Sequence, residues 1–325
     1  MPTINSFIRS ANASYKRAAR ANARQERERA KQHQQLLKEQ LKSDNISAVK
    51  TYNEYVNMLV SIHKSCAQII NWNNLSCEPE PTKPKKTKKY EELAAVTLHL
   101  YKPSLLDKLF GAESKKRTKL KNAIEHAIQK DLSIFNNAVS EYNNEFADWK
   151  IVKQIASGVL AKEVTAYKDA IDYFAPFTNI IQLGSQVNFV INQHGLTINL
   201  SVSSSEIVPD YVLAITTTGK LSNKKMTNSK FNELYQDYVC SAAIRAAREI
   251  FALLPIECVY VNTISDLLDS STGRIKPQPI LSCKFIRDNL SRLNFDQIDC
   301  SDAMRNILHN MKFSKNTGFA VIDVL

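Results

Sequence analysis

The stretch Ala214-Ile215-Thr216-Thr217-Thr218-Gly219-Lys220-Leu221 comes nearest in this chain to a phosphate-binding loop. A P-loop opens on glycine, so that the backbone can cradle the phosphates, and places serine or threonine after its lysine to meet magnesium. Alanine and leucine stand at those two positions here, which argues against nucleotide hydrolysis. The remaining signal is cationic. Lys220, Lys224, Lys225 and Lys230 crowd a polar loop between an expected strand and an expected helix, where they can touch a phosphate backbone without any chemistry.

Other reactive patterns are no stronger. His33, His63, His99, His126, His194 and His309 include no pair at the spacing of a zinc helix, and no Cys-x-x-Cys supports a metal site. His63 falls on a heptad position, where a polar residue tunes helix pairing. The acid-x-Lys pairs that a metal-dependent nuclease needs on a strand, Glu113-Ser114-Lys115 and Asp148-Trp149-Lys150, lie in helical sequence. Glu206 and Asp210 sit beside expected strands but lack the lysine. No Gly-x-Ser-x-Gly elbow marks a serine nucleophile, and nothing singles out one Cys–His pair. The sequence therefore names no catalytic residue, no metal ligand and no cofactor, and leans away from an enzyme. One polar group stands out in the second half: Arg245, Arg248 and Glu249 on a helix slimmed by Ala242, Ala243, Ala246 and Ala247. It reads as a packed central helix with salt-bridged arginine, or as a cleft whose arginines bind an anionic ligand.

The elements that must carry these residues divide by charge. Of the 325 residues, those from 175 onward hold 14 Lys+Arg against 13 Asp+Glu, whereas the first 174 hold 29 against 19. A basic half beside a near-neutral half points to a polyanionic partner. On a helical wheel Arg9, Lys16, Arg20, Arg24, Arg27, Lys31, Lys38 and Lys42 fall within a sector of about 80°. A thin apolar stripe, with alanine through its middle, runs beside them through Ile8, Tyr15, Ala19, Ala23, Ala30, Leu37 and Leu41. This stripe is too small to stabilise a lone helix or to insert strongly in a membrane interface. A second basic cluster, Lys115, Lys116, Arg117, Lys119 and Lys121, opens a later helical segment, where the helix dipole disfavours cations.

Ser43-Asp44-Asn45 reads as an N-cap, and Val49, Tyr52, Val56, Leu59, His63, Cys66 and Ile70 as a heptad seam. The expected organisation is a basic helical hairpin or coiled coil over 1–72, a Pro/Lys-rich linker over 73–89, a helical region over 90–174 and an α+β domain over 175–325. The strands are expected at Val187–Ile191, Leu196–Leu200, Tyr211–Ile215, Cys258–Val261, Ile280–Phe285 and Phe319–Val324, around a strong helix Phe231–Leu254. Asp299-Cys300-Ser301-Asp302 is a helix cap, and Met304 and Met311 belong to the core. The fold class is α+β: an N-terminal helical hairpin or coiled coil and helical bundle, then a mixed, largely antiparallel sheet. The cysteines lack disulfide spacing, no apolar run reaches membrane-spanning length, and the acid-containing N-terminal helix argues against a cleaved leader, so the expected compartment is the cytoplasm.

The function these features suggest is a binding or scaffold protein that contacts nucleic acid phosphates without reading sequence, duplex or structured rather than single-stranded because aromatic interleaving is poor. The alternative is a protein-interaction module, homo-oligomeric through residues 49–70 or facing an acidic protein. A related form is an effector subunit of a multi-protein complex, for example in phage defence, with an unidentified site in the α+β domain.

Overall fold

The structure, a computed structural model, describes residues 43–104, 112–181, 185–192, 195–202 and 207–325. The N-terminal basic stripe (Arg9, Lys16, Arg20, Arg24, Arg27, Lys31, Lys38, Lys42), His33, His194 and Glu206 lie outside them. The helices run over residues 43–60 (α1), Trp72–Cys77 (α2), Lys89–Leu100 (α3), Glu113–Leu160 (α4), Val164–Phe174 (α5) and Asn228–Leu253 (α6), with shorter helical turns between. The strands are Gln186–Asn192 (β1), Gly195–Ser201 (β2), Tyr211–Ile215 (β3), Leu221–Lys225 (β4), Cys258–Asp269 (β5), Arg274–Ile286 (β6), Leu308–Ser314 (β7) and Gly318–Ala320 (β8). The fold is α+β, with a mixed six-stranded sheet. The chain divides into two compact units. One holds the described residues up to Gln68 with Pro176–Ala252 and Ile256–Leu325; the other holds Ile69–Ala175 and Leu253–Pro255.

In the first unit the sheet order is β1-β2-β5-β6-β7-β8. Only β2 and β5 are parallel, and α6 lies in the connection that such a pair requires. The Val187–Ile191 and Leu196–Leu200 hairpin forms as expected, with Phe189 opposite Ile198. On β2 the alternate residues Leu196, Ile198 and Leu200 are buried, which sets the strand's register on the core. Helix α6 is buried over most of its circumference: Val239, Cys240, Ala243, Ile244, Ala246, Ala247 and Ile250 are fully buried, as a central core helix demands. Tyr235 on α6 donates to Ser265 Oγ of β5 at 2.9 Å.

Beyond residue 281 toward its start, β6 runs beside β5 as a two-stranded ribbon, because β7 pairs only with 281–284. Pro277 and Pro279 lie in this ribbon. The Pro279 carbonyl faces away from β5, accepting Ile322 N–H at 3.1 Å, so the missing proline donor falls on the outer edge and costs the β5 ladder nothing.

The sequence expectation needs three corrections in this unit. Ser43, Asp44 and Asn45 are themselves helical in α1 and do not cap it; Asn45 instead donates to Gly219 O at 3.2 Å. The heptad seam stops with α1: residues 65–71 have no helix, and Tyr52 and Tyr55 donate to Tyr211 O and Ile207 O, both at 2.6 Å, within this same unit. Third, Lys224 and Lys225 are not in a loop. They lie on β4, which pairs with β3 as a separate ribbon.

The second unit is helical. What reads in sequence as several amphipathic segments is one 48-residue helix, α4, about 72 Å long at 1.5 Å per residue. Residues 78–88 carry no helix or strand; Glu78 O accepts Trp149 Nε1 at 3.0 Å on α4. The N-terminus of α3 is closed from α4 by the buried Asp131. Its carboxylate accepts Tyr90 N–H (3.1 Å) and Glu91 N–H (2.8 Å), two donors that no helix can satisfy internally. Gly158 lets α5 approach α4: a Cβ there would meet Ala166 Cβ at 2.5 Å. Among the described residues no helix is long and apolar enough to cross a membrane.

Candidate functional site

Two polar constellations gather on α6. The first is a strap, residues 62–67, tied to one face of the helix. Arg245 and Glu249, one turn apart, form a buried ion pair. Arg245 also donates to Ile62 O at 3.3 Å and to the carbonyl and hydroxyl of Ser65, while Glu249 accepts Ala67 N–H at 3.4 Å. Arg248 donates to His63 O and to Lys64 O (3.1 Å), and its guanidinium lies 3.7 Å from the Phe295 ring centroid. Both arginines foreseen as a ligand cleft thus hold the chain's own backbone.

His63 is buried at the centre of this strap. Its Nε2 donates to Phe295 O at 3.1 Å, which leaves Nδ1 to accept, with Ser241 Oγ and Cys300 Sγ each 2.9 Å away. Ser241 Oγ also accepts the His63 backbone N–H at 3.1 Å. Burial lowers the imidazole pKa, and the nearby Lys64 and Arg248 charges lower it further. Burial pushes the Cys300 thiol up to about 12. A thiol so shifted supplies no thiolate near neutrality, and Ser241 is fully buried. The Ser–His–Cys convergence is therefore a tie between α6, the strap and the Cys300 turn, not an exposed nucleophile. No sequence spacing announced it, because its members come from three distant segments.

The second constellation lines an open cleft of roughly 620 Å³ on the other end of α6. Glu233 and Asp237 come from α6, Asp299 and Asp302 from the turn after residue 298, Arg305 from the following turn, His309 from β7 and Lys315 from the β7–β8 turn. Most charges here are neutralised locally. Lys315 pairs with Glu233 at 2.5 Å and Arg305 with Asp302 at 2.9 Å. Asp299 acts as the helix cap expected of it, accepting Asp302 N–H at 3.0 Å and Ser301 O–H at 2.7 Å, and these bonds lower its pKa. Asp237 differs: burial, followed by Asp299, Glu233 and Asp302, raises its carboxyl pKa. Both Met304 and Met311 line the cleft; Met304 is core as expected, fully buried, whereas Met311 is only half-buried. Among the described residues no three His, Cys, Asp or Glu side chains converge as metal ligands.

The cationic residues sit apart from both. Lys115, Lys116 and Arg117 are exposed on the first turns of α4, in the helical unit, with Arg117 paired to Glu113 at 3.0 Å. Lys220, Lys224 and Lys225 are exposed on the β3–β4 ribbon of the sheet unit. Lys224 and Lys225 are adjacent in a strand, so they point to opposite faces of the ribbon. The segment that resembled a phosphate loop is the ribbon's turn. Gly219 takes a φ of 78°, Thr216 Oγ1 accepts Lys220 N–H at 3.0 Å, and a strand follows where a phosphate loop would open a helix. None of the six cysteines forms a disulfide; Cys240, Cys283 and Cys300 are buried. Compared with protein-family models, with curated proteins and with solved structures, this chain finds no match, so its function rests on its own geometry.

Proposed function

We propose that this chain is a cytoplasmic binding or scaffold protein that grips nucleic acid through phosphates, without sequence readout. The observation that carries the reading is the exposed cation cluster opening α4, Lys115, Lys116, Arg117, Lys119 and Lys121, in which Arg117 pairs with Glu113 at 3.0 Å. Cations in the first turn of a helix oppose its dipole, and an outside anion would relieve that opposition. The concentration of net positive charge in the first 174 residues, including the stripe from Arg9 to Lys42, supports the same partner. The exposed lysines of the β3–β4 ribbon add a third set of phosphate contacts.

A salt titration of duplex binding tests this reading. Each phosphate contact contributes about −0.9 to the slope of log K against log salt, so Lys115→Gln/Lys116→Gln/Lys119→Gln lowers the slope magnitude by about 2 to 3. Affinity that stays flat as salt rises removes the phosphate mechanism. A second reading, an effector subunit with a ligand site in the sheet unit, is favoured by the cleft around Asp237. It predicts that Asp237→Asn abolishes a complex's activity while leaving duplex affinity intact.

A further inference from the structure

We propose that the outer face of α3 docks on an anionic membrane surface. Helix α3 has two faces. Tyr90, Glu91, Ala94 and Leu98 turn inward and are half-buried, and a groove lined by Tyr90, Leu93, Ala94, Ala127 and Lys130 runs between α3 and α4. The outer face carries Val96 and Leu100, with Leu93 between it and the groove, at the three- and four-residue spacing of a single helical stripe. Leu93, Val96 and Leu100 are 60%, 54% and 70% exposed, an arrangement that an ordinary soluble surface does not need.

Cations flank this stripe. Lys89 lies on the same helical face one turn before Leu93; Lys88 and Lys89 line a shallow cleft with Glu92, Leu93 and Val96, and Lys88 also pairs with Glu91 at 3.6 Å. Lys83, Lys85 and Lys86 precede them, all exposed, on the irregular segment 78–88. Pro81 and Pro84 keep these lysines off any regular element. A lysine cluster of this kind beside an apolar helical stripe is the recognition chemistry of anionic lipid: the cations meet headgroups while the aliphatic side chains enter the acyl boundary. A phosphate backbone has no use for Leu93, Val96 and Leu100.

The test uses the full chain and flotation with vesicles of phosphatidylcholine alone or mixed with phosphatidylglycerol. The chain floats with the anionic vesicles and not with the neutral ones. Leu93→Ser/Val96→Ser/Leu100→Ser, which changes no charge, lowers that partition at least about tenfold, and Lys83→Gln/Lys85→Gln/Lys86→Gln lowers it by a similar factor. In Leu100→Trp, the added indole is quenched by lipids brominated on their acyl chains, beyond the quenching seen with Trp72 and Trp149 alone. Three results overturn the proposal: no flotation with anionic vesicles, a serine variant that floats like the parent chain, or no added quenching in Leu100→Trp. The serine variant floating like the parent would assign vesicle binding to cations elsewhere, and would leave the duplex salt slope untouched.

Discussion

Replacing Glu249 by alanine is the sharpest test of how the strap over α6 is held. The side chains of Arg245 and Glu249 are 4% and 2% exposed, so neither charge has water to fall back on. Glu249 also takes Ala67 N–H, and Arg245 Nε already has no partner. Removing the carboxylate leaves a buried guanidinium without its counter-charge, which costs about 3–5 kcal/mol. For a urea m-value of about 3 kcal/mol/M, the midpoint of the sheet unit falls by about 1–1.7 M. Both tryptophans, Trp72 and Trp149, lie in the helical unit, so the transition must be followed by far-UV circular dichroism rather than by indole fluorescence. Hydrogen exchange supplies the local readout: protection at Ala67 N–H is lost in Glu249→Ala. The double variant Arg245→Met/Glu249→Leu costs less than the sum of its singles, because it buries no unpaired charge. A Glu249→Ala midpoint within about 0.3 M of the parent, with Ala67 still protected, would refute the reasoning.

The same anchor is sensitive to pH. The folded His63 pKa lies below its unfolded value of about 6.5, so the unfolded chain binds more protons in the window between the two. The stability of the sheet unit is therefore constant above that window and declines as pH falls through it; His63→Gln flattens the decline, as urea midpoints across pH 8 to 5 will show. In the helical unit, Gly158→Leu drives a side chain into Ala166 and destabilises by about 1–3 kcal/mol, read by tryptophan fluorescence. Asp131→Ala strips the N-terminus of α3 of its acceptor and costs about 1–2 kcal/mol, with faster exchange at Tyr90 and Glu91.

Much of the sheet unit was legible because burial imposes pattern. The β1–β2 hairpin, β3, the start of β5, the end of β6 and the buried helix α6 all announce themselves as alternating or continuous apolar runs bounded by turns. β4 did not: Leu-Ser-Asn-Lys-Lys is almost wholly exposed, so no core selects its side chains and only its pairing with β3 makes it a strand. The ribbon ends of β5 and β6 were missed for the same reason, and Pro277 and Pro279 argued actively against them. β7 hides behind a polar sequence of the same kind. The heptad spacing of 49–70 was real over α1, yet it serves packing within one chain, and a seam in sequence does not say whose surface it meets. Legibility failed most at the candidate sites. Residues 63, 241 and 300 are joined only by tertiary structure, as are Asp237 and Asp299, and side chains that meet across more than fifty residues leave no spacing to read.

The two prolines of β6 have a further effect on the company the molecule keeps. The tip of this two-stranded ribbon, with Leu268 and Ile275 turned to solvent, would ordinarily invite a stray extended chain to zip onto it. Pro277 withholds an amide hydrogen on that rim next to Pro279, whose carbonyl is already taken by Ile322 N–H, and so interrupts any such zipper before it can lengthen. Replacing both with threonine would thus leave the native ladder intact and show its harm only at high protein concentration, as slow accretion into higher-order aggregates.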